Sequence, residues 1–190
     1  MNKEFEKNNY IVIRQFLDAA RAEELALLYM NGEDPNVFVG DIDEAPKAIA
    51  RYNYKHFLHL LCERTGEISK LYGSAVLPTY AYSRWYKDGD SLAKHSDRPS
   101  CEVSVTVNLK KDKDWPIYIE TPNGETRAVE LEPGDAMMYR GCIAPHWRDT
   151  IGDGNCVQVF LHYVDIDGDN RNHYFDRMNF QSLCAFGANI

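Results

Sequence analysis

The spacing of apolar residues changes character near Leu77, helical before it and alternating from there to about Val164. A period of 3.6 puts every third or fourth side chain on one helical face, and a period of two sends successive side chains to opposite faces of a strand. In the first half, Tyr10-Ile11-Val12-Ile13-Arg14 is β-branched and predicts a short strand. Asp18 then suits a helix N-cap, with Leu17, Leu25 and Leu28 near one face and Asn31-Gly32 as a stop. Residues 33–46, with Pro35, Gly40 and Pro46, predict an ordered loop or short strand. A longer amphipathic helix is expected from about Ala48 to Leu71, with Tyr54, Phe57, Leu58, Leu61, Ile68 and Leu71 along one stripe and Gly73 after it.

In the second half, Tyr80, Tyr82, Arg84 and Tyr86 alternate onto one face, and Lys87-Asp88-Gly89-Asp90 makes a turn. Further strands are expected at Leu92 to Asp97, at Val103, Val105 and Val107 alternating with Ser104, Thr106 and Asn108, and at Trp115 to Glu120. Turns follow at Pro122-Asn123-Gly124 and Pro133-Gly134-Asp135, then strands at Ala136 to Tyr139, Pro145 to Arg148 and Cys156 to Val164. Many short strands with such turns imply a jelly roll: a mainly β fold with supporting α-helices. A single domain is expected over 1–190, divided into an N-terminal strand and supporting helices (1–76), a β core (77–165) and a C-terminal extension (166–190). That extension opens with a turn at Asp167-Gly168-Asp169 and is expected to form a short helix around Phe175 to Leu183.

Composition narrows the function classes. Acidic residues outnumber basic ones, 29 to 21, which disfavours a nucleic-acid partner because there is no electrostatic footprint for phosphate. Five cysteines, Cys62, Cys101, Cys142, Cys156 and Cys184, are scattered without a C-x-x-C pair and read as reduced thiols. The N-terminus lacks an apolar signal-like run and no stretch is long enough to span a membrane, so a soluble, cytoplasmic protein is expected.

His95-Ser96-Asp97 and the distant His146 carry the chemistry. On a strand, His95 and Asp97 at i and i+2 point the same way, and His146 arriving from another strand completes a set of two imidazoles and one carboxylate. Such a facial triad leaves coordination positions open and is associated with non-haem Fe(II) oxygenases; closed structural sites more often have a fourth protein ligand. His56 and His59 lie three apart on the expected helix without a third ligand nearby and read as ordinary helix residues. His162 and His173 likewise read as structural, and Trp85 and Trp147 as packing.

The string from Arg84 through Tyr86, Gly89, His95 and Asp97, with Asn108-Leu109, Pro133-Gly134-Asp135 and His146, resembles the prolyl 4-hydroxylase-like branch of the 2-oxoglutarate and Fe(II)-dependent oxygenases. The resemblance covers about residues 78–165 and implies a double-stranded β-helix (jelly-roll, cupin-like) core with Fe(II) at its open end, bound by His95, Asp97 and His146. It also implies 2-oxoglutarate and O2 as cosubstrates, with oxidative decarboxylation to succinate and carbon dioxide coupled to hydroxylation of an unactivated C–H bond. A prolyl or other protein hydroxylase is the first expectation. A small-molecule or nucleobase hydroxylase stands behind it, as do a cupin-like metalloenzyme that does not use 2-oxoglutarate and a non-catalytic jelly-roll binding module.

One position departs from the family. Its members usually place an Arg or Lys after the second histidine to pair with the far carboxylate of 2-oxoglutarate, but here 155–157 are Asn155, Cys156 and Val157. Leaving a buried carboxylate without a cation costs of the order of several kcal/mol. Arg148 is the favoured replacement because it can bind bidentately, with Gln158 as a second candidate and Arg84 in reserve. Tyr86 is expected to donate to the cosubstrate, Asn108 either to contact it or to end its strand, and Arg98 to meet an acidic substrate or remain in solvent.

Overall fold

The computed structural model describes residues 2–32, 37–40 and 42–175. Among the described residues three α-helices, α1 (Lys3–Asn8), α2 (Ala19–Asn31) and α3 (Lys55–Tyr72), accompany eleven strands. The strands are β1 (Tyr10–Ile13), β2 (Val37–Val39), β3 (Ile49–Tyr52), β4 (Val76–Tyr86), β5 (Leu92–His95), β6 (Val103–Lys111), β7 (Ile117–Glu120), β8 (Thr126–Val129), β9 (Ala136–Tyr139), β10 (His146–Arg148) and β11 (Cys156–Asp165). They form two antiparallel sheets. The larger runs β1-β9-β6-β11-β4-β3-β2 and the smaller β5-β10-β7-β8, the double-stranded β-helix expected from the sequence.

Alternation along the central strands decides what each face meets. Val103, Val105, Val107, Val157, Val159 and Leu161 point outward into one apolar core with Leu25, Ala26, Tyr29, Phe57, Leu61 and Ile68 of α2 and α3. The helices therefore buttress the larger sheet from outside. The opposite face of the same strands carries Ser104, Thr106, Asn108, Gln158, His162 and Arg84, all buried. Polar side chains in that interior are the ones that line or support the site.

Asp18 caps α2 as expected, its carboxylate accepting from Arg21 N–H at 2.8 Å. The second long helix is shorter than the sequence suggests, because Ile49–Tyr52 is a strand paired with β4 from Ile49↔Trp85 to Tyr52↔Tyr82. Asn53 makes the break: its φ of 48° leaves strand geometry, while its N–H donates to Ala81 O and its Oδ1 accepts from Ala81 N–H. Apolar residues on both sides of that break are buried, so hydrophobic pattern alone does not mark it. Gly73, at φ 88°, ends α3 in the left-handed region that glycine tolerates.

α1 and β8 were not anticipated: α1 buries only Phe5, and β8 is exposed over three of its four residues. No helix among the described residues is long and apolar enough to cross a membrane. The helix expected around Phe175 to Leu183 falls, beyond Phe175, outside the described residues.

Candidate metal centre

His146 on β10 pairs directly with His95 on β5, so the two rings meet with centroids 4.4 Å apart. In each ring Nδ1 lies close to the carbonyl two residues back, Ala93 O at 2.8 Å and Ala144 O at 2.9 Å. A carbonyl only accepts, so Nδ1 carries a proton in both, and in the neutral form of either ring Nε2 is the atom left with a lone pair. Both Nε2 atoms face one carboxylate oxygen, Asp97 Oδ1, at 3.4 and 3.6 Å.

Asp97 arrives differently from the strand argument. β5 ends at His95, and Asp97 stands in the loop beyond it, where its N–H donates to Gly141 O at 2.8 Å. A backbone bond to the 140–144 turn, rather than strand alternation, therefore sets the carboxylate. Burial pushes the Asp97 carboxyl up, but hydrogen bonding from His95 and the fields of His146, His162 and His95 outweigh it and hold it at about 2. Its bond to Asp97 shifts His95 upward, whereas burial moves His146 downward, keeping that buried imidazole neutral and fit to ligate.

Among the described residues one other group has ligand spacing, Asp97 with Cys101 and His162. It shares Asp97, and its other members are engaged: the Cys101 sulfur lies 3.1 Å from the Tyr80 hydroxyl and His162 Nδ1 lies 2.9 Å from Ser104 Oγ. Burial also raises the Cys101 thiol, which disfavours the thiolate a metal needs. His59 pairs with Glu63 on the surface of α3 at 3.9 Å, consistent with its helix-surface reading.

A cavity of about 410 Å³ opens beside the trio, and His95, Asp97, His146, Arg84, Tyr82 and Tyr86 line it with others. The Arg84 guanidinium donates to the hydroxyls of Tyr86 at 3.0 Å and Tyr82 at 2.8 Å, so the reserve cation of the sequence reading reaches the cavity wall. Arg148, Gln158 and Asn108 do not line that cavity. Arg148 shares the interior but bonds the Trp115 carbonyl and lies 4.7 Å over the Trp115 ring, leaving Nε and Nη2 buried without partners. A register shift in the β10–β5 pairing falls between His146 and Arg148. Gln158 is used between Thr106 and the Cys156 sulfur, and Asn108 is tied to Leu131 O from inside β6, which runs on to Lys111, so it neither lines the cavity nor ends its strand. Arg98 rests over the Tyr80 ring at 4.6 Å.

Sequence reasoning passed over Ser104 and Gly141, which touch Asp97, and Tyr139, whose ring meets His146 edge-on at 4.7 Å. Ser104 was visible only as a polar position in an alternating strand. Gly141 carried no signal.

No protein-family model matches the sequence, and no curated protein is similar to it by sequence. Solved structures are similar in fold. A Pseudomonas putida prolyl-4-hydroxylase is 13% identical with TM-score 0.67, over 84% of this chain and 94% of its own. An oxidoreductase of the 2OG-Fe(II) oxygenase family from Burkholderia pseudomallei is 15% identical with TM-score 0.67, over 86% and 87%. HygX from Streptomyces hygroscopicus, solved with nickel and 2-oxoglutarate bound, is 11% identical with TM-score 0.68, over 88% of each chain. The chain thus has the double-stranded β-helix fold of the 2-oxoglutarate and Fe(II)-dependent oxygenases.

Proposed function

We propose that this chain is an Fe(II)- and 2-oxoglutarate-dependent oxygenase that hydroxylates a C–H bond. The observation that carries the reading is the convergence of His95 Nε2, His146 Nε2 and Asp97 Oδ1 beside a cavity that also contains Arg84 and Tyr86. Two neutral imidazoles and one carboxylate suit a ferrous ion with positions left for exchange. The buried Arg148 N–H groups without partners suit an anion in the same interior, since an uncompensated buried cation is costly. Bound Fe(II) with 2-oxoglutarate would supply the oxidising power to activate O2.

The protein's own contribution is placement. Ala93 O and Ala144 O hold both imidazoles in the tautomer that presents Nε2. Arg84, braced by Tyr82 and Tyr86, would hold the far carboxylate of 2-oxoglutarate, with Arg148 adding positive charge from against Trp115. Tyr52, Tyr80 and Phe160 continue the cavity wall and exclude water from the substrate side. We assign the substrate to a prolyl or other protein side chain first and to a small molecule second, supported by the fold shared with the Pseudomonas putida prolyl-4-hydroxylase. The reduced cysteines Cys62, Cys101, Cys142 and Cys156 suit a reducing, cytoplasmic setting.

The missing base at 155–157 favours a second reading, a cupin-like metalloenzyme without 2-oxoglutarate. Anaerobic addition of Fe(II) and then 2-oxoglutarate separates the two: the first reading expects a weak visible charge-transfer band, and its absence in iron-loaded protein selects the second.

A further inference from the structure

We infer that Ser104, fixed by His162 and given room by Gly141, is a positioning residue that restricts Asp97 to one ligating oxygen. The inference rests on the metal reading above and concerns a different atom, Asp97 Oδ2, the partner of the oxygen that meets the two imidazole nitrogens, which lies 3.1 Å from Ser104 Oγ.

Proton accounting gives the device its direction. A carboxylate only accepts, so the single Ser104 hydroxyl proton goes to Asp97, with Cys101 O at 3.1 Å as the weaker, uncharged competitor. His162 Nδ1, at 2.9 Å, must then donate to Ser104 Oγ. Between two acceptors at equal distance the charged carboxylate outcompetes the Cys101 carbonyl, so the proton stays on Oδ2.

Gly141 completes the seat by absence. A Cβ there would lie 2.5 Å from Asp97 Oδ2, 2.7 Å from Ser104 Oγ and 2.3 Å from Cys101 O, each inside any tolerable contact. Glycine is needed for space, since its φ is not among the positive ones. Two separate stretches of chain, at 104 and 141, therefore bound one carboxylate oxygen, and a third, at 162, fixes the first of them. The functional consequence is coordination number: a carboxylate free to ligate through both oxygens takes a position that an open, exchangeable site needs.

The test uses Co(II) as a spectroscopic probe bound anaerobically to the whole chain, with Asp97→Ala as reference. Ser104→Ala is expected to weaken Co(II) by about ten- to a hundredfold and to change the visible d–d spectrum as Asp97 becomes bidentate. His162→Phe should reproduce the spectral change, while His162→Asn, whose amide replaces the Nδ1 donor, should keep the wild-type spectrum. A merely structural role would lower the unfolding temperature of the metal-free variants and leave the Co(II) spectrum alone. Wild-type affinity and spectrum in Ser104→Ala overturn the inference, as does a wild-type spectrum in Asp97→Ala. Should Ser104→Ala fail to fold, the His162 pair decides by the same spectral criterion. If Co(II) binding follows this pattern but iron-loaded protein gives no band with 2-oxoglutarate, the proposed oxygenase function fails and the positioning role stands.

Discussion

The two faces of β6 and β11 make a controlled comparison, because the same backbone presents Val103, Val105, Val107, Val159 and Leu161 on one side and Ser104, Thr106, Asn108, Gln158 and His162 on the other. Both faces are buried. The outer one is satisfied by contact with α2 and α3, whereas the inner one is satisfied by a hydrogen-bond web, with the Arg148 donors left over. Burial alone therefore does not separate stability from chemistry in this fold; what fills the hydrogen bonds does. Substitutions on the outer face should cost folding free energy, and those on the inner face should cost ligand binding.

The largest expected effect is at the metal trio. His146→Ala should weaken Co(II) or Fe(II) by more than about a hundredfold, since even supporting residues around a metal cost about 10–100-fold, and circular dichroism should show an intact β fold. Loss of the fold would place His146 with the stability face. On the outer face, Leu161→Ala should destabilise by about 2–5 kcal/mol in urea unfolding through lost transfer energy and a cavity. The metal affinity of the protein that remains folded should match wild type.

Arg84→Met removes an inner-face cation without emptying its volume, and it should leave unfolding free energy unchanged or raised while weakening 2-oxoglutarate binding by about 2–5 kcal/mol. Anaerobic titration of the iron-loaded variant reads this, and Arg148→Met should show the smaller loss. The reverse order would return the anchor to Arg148.

The smallest effect tests the corner that joins the two halves of the comparison. Asp135 accepts from Gln15 N–H at 2.9 Å and Glu132 N–H at 3.1 Å and pairs with Arg14. Burial opposes its charge, yet those donors and Arg14 hold its carboxyl below the ordinary value. A depressed folded-state pKa gives stability that is present above the unfolded carboxyl value of about 3.9 and is lost as pH falls through the folded one. Asp135→Asn should therefore cost about 1–3 kcal/mol at neutral pH, and its gap from wild type should close in acid. A pH-independent gap would assign the loss to packing.

The legible parts of the sequence were those whose residue type and spacing already name a physical job. His95, Asp97 and His146 were visible as a donor set, and Asp18, Gly73 and the alternating valines of β6 as caps and strand faces. β3 was hidden inside an apparent helix because its apolar residues serve a pairing with β4 that no local pattern records. Residue type and spacing rank Arg148 above Arg84, the wrong order for reaching the cavity, because the tertiary course of β10 turns Arg148 toward Trp115 while Arg84 lines the cavity. Gly141 was illegible for a deeper reason, since what it contributes is the lack of an atom near Asp97.

The three proposed ligands differ in their access to water. The His146 side chain is 2% exposed and that of Asp97 14%, but that of His95 keeps 38%. On the proposed metal reading, an ion exchanging with solvent would pass His95, which makes this imidazole the threshold of the site. Changes around the 92–95 strand should be felt in how fast metal enters and leaves, more than in how tightly the inner pair holds it.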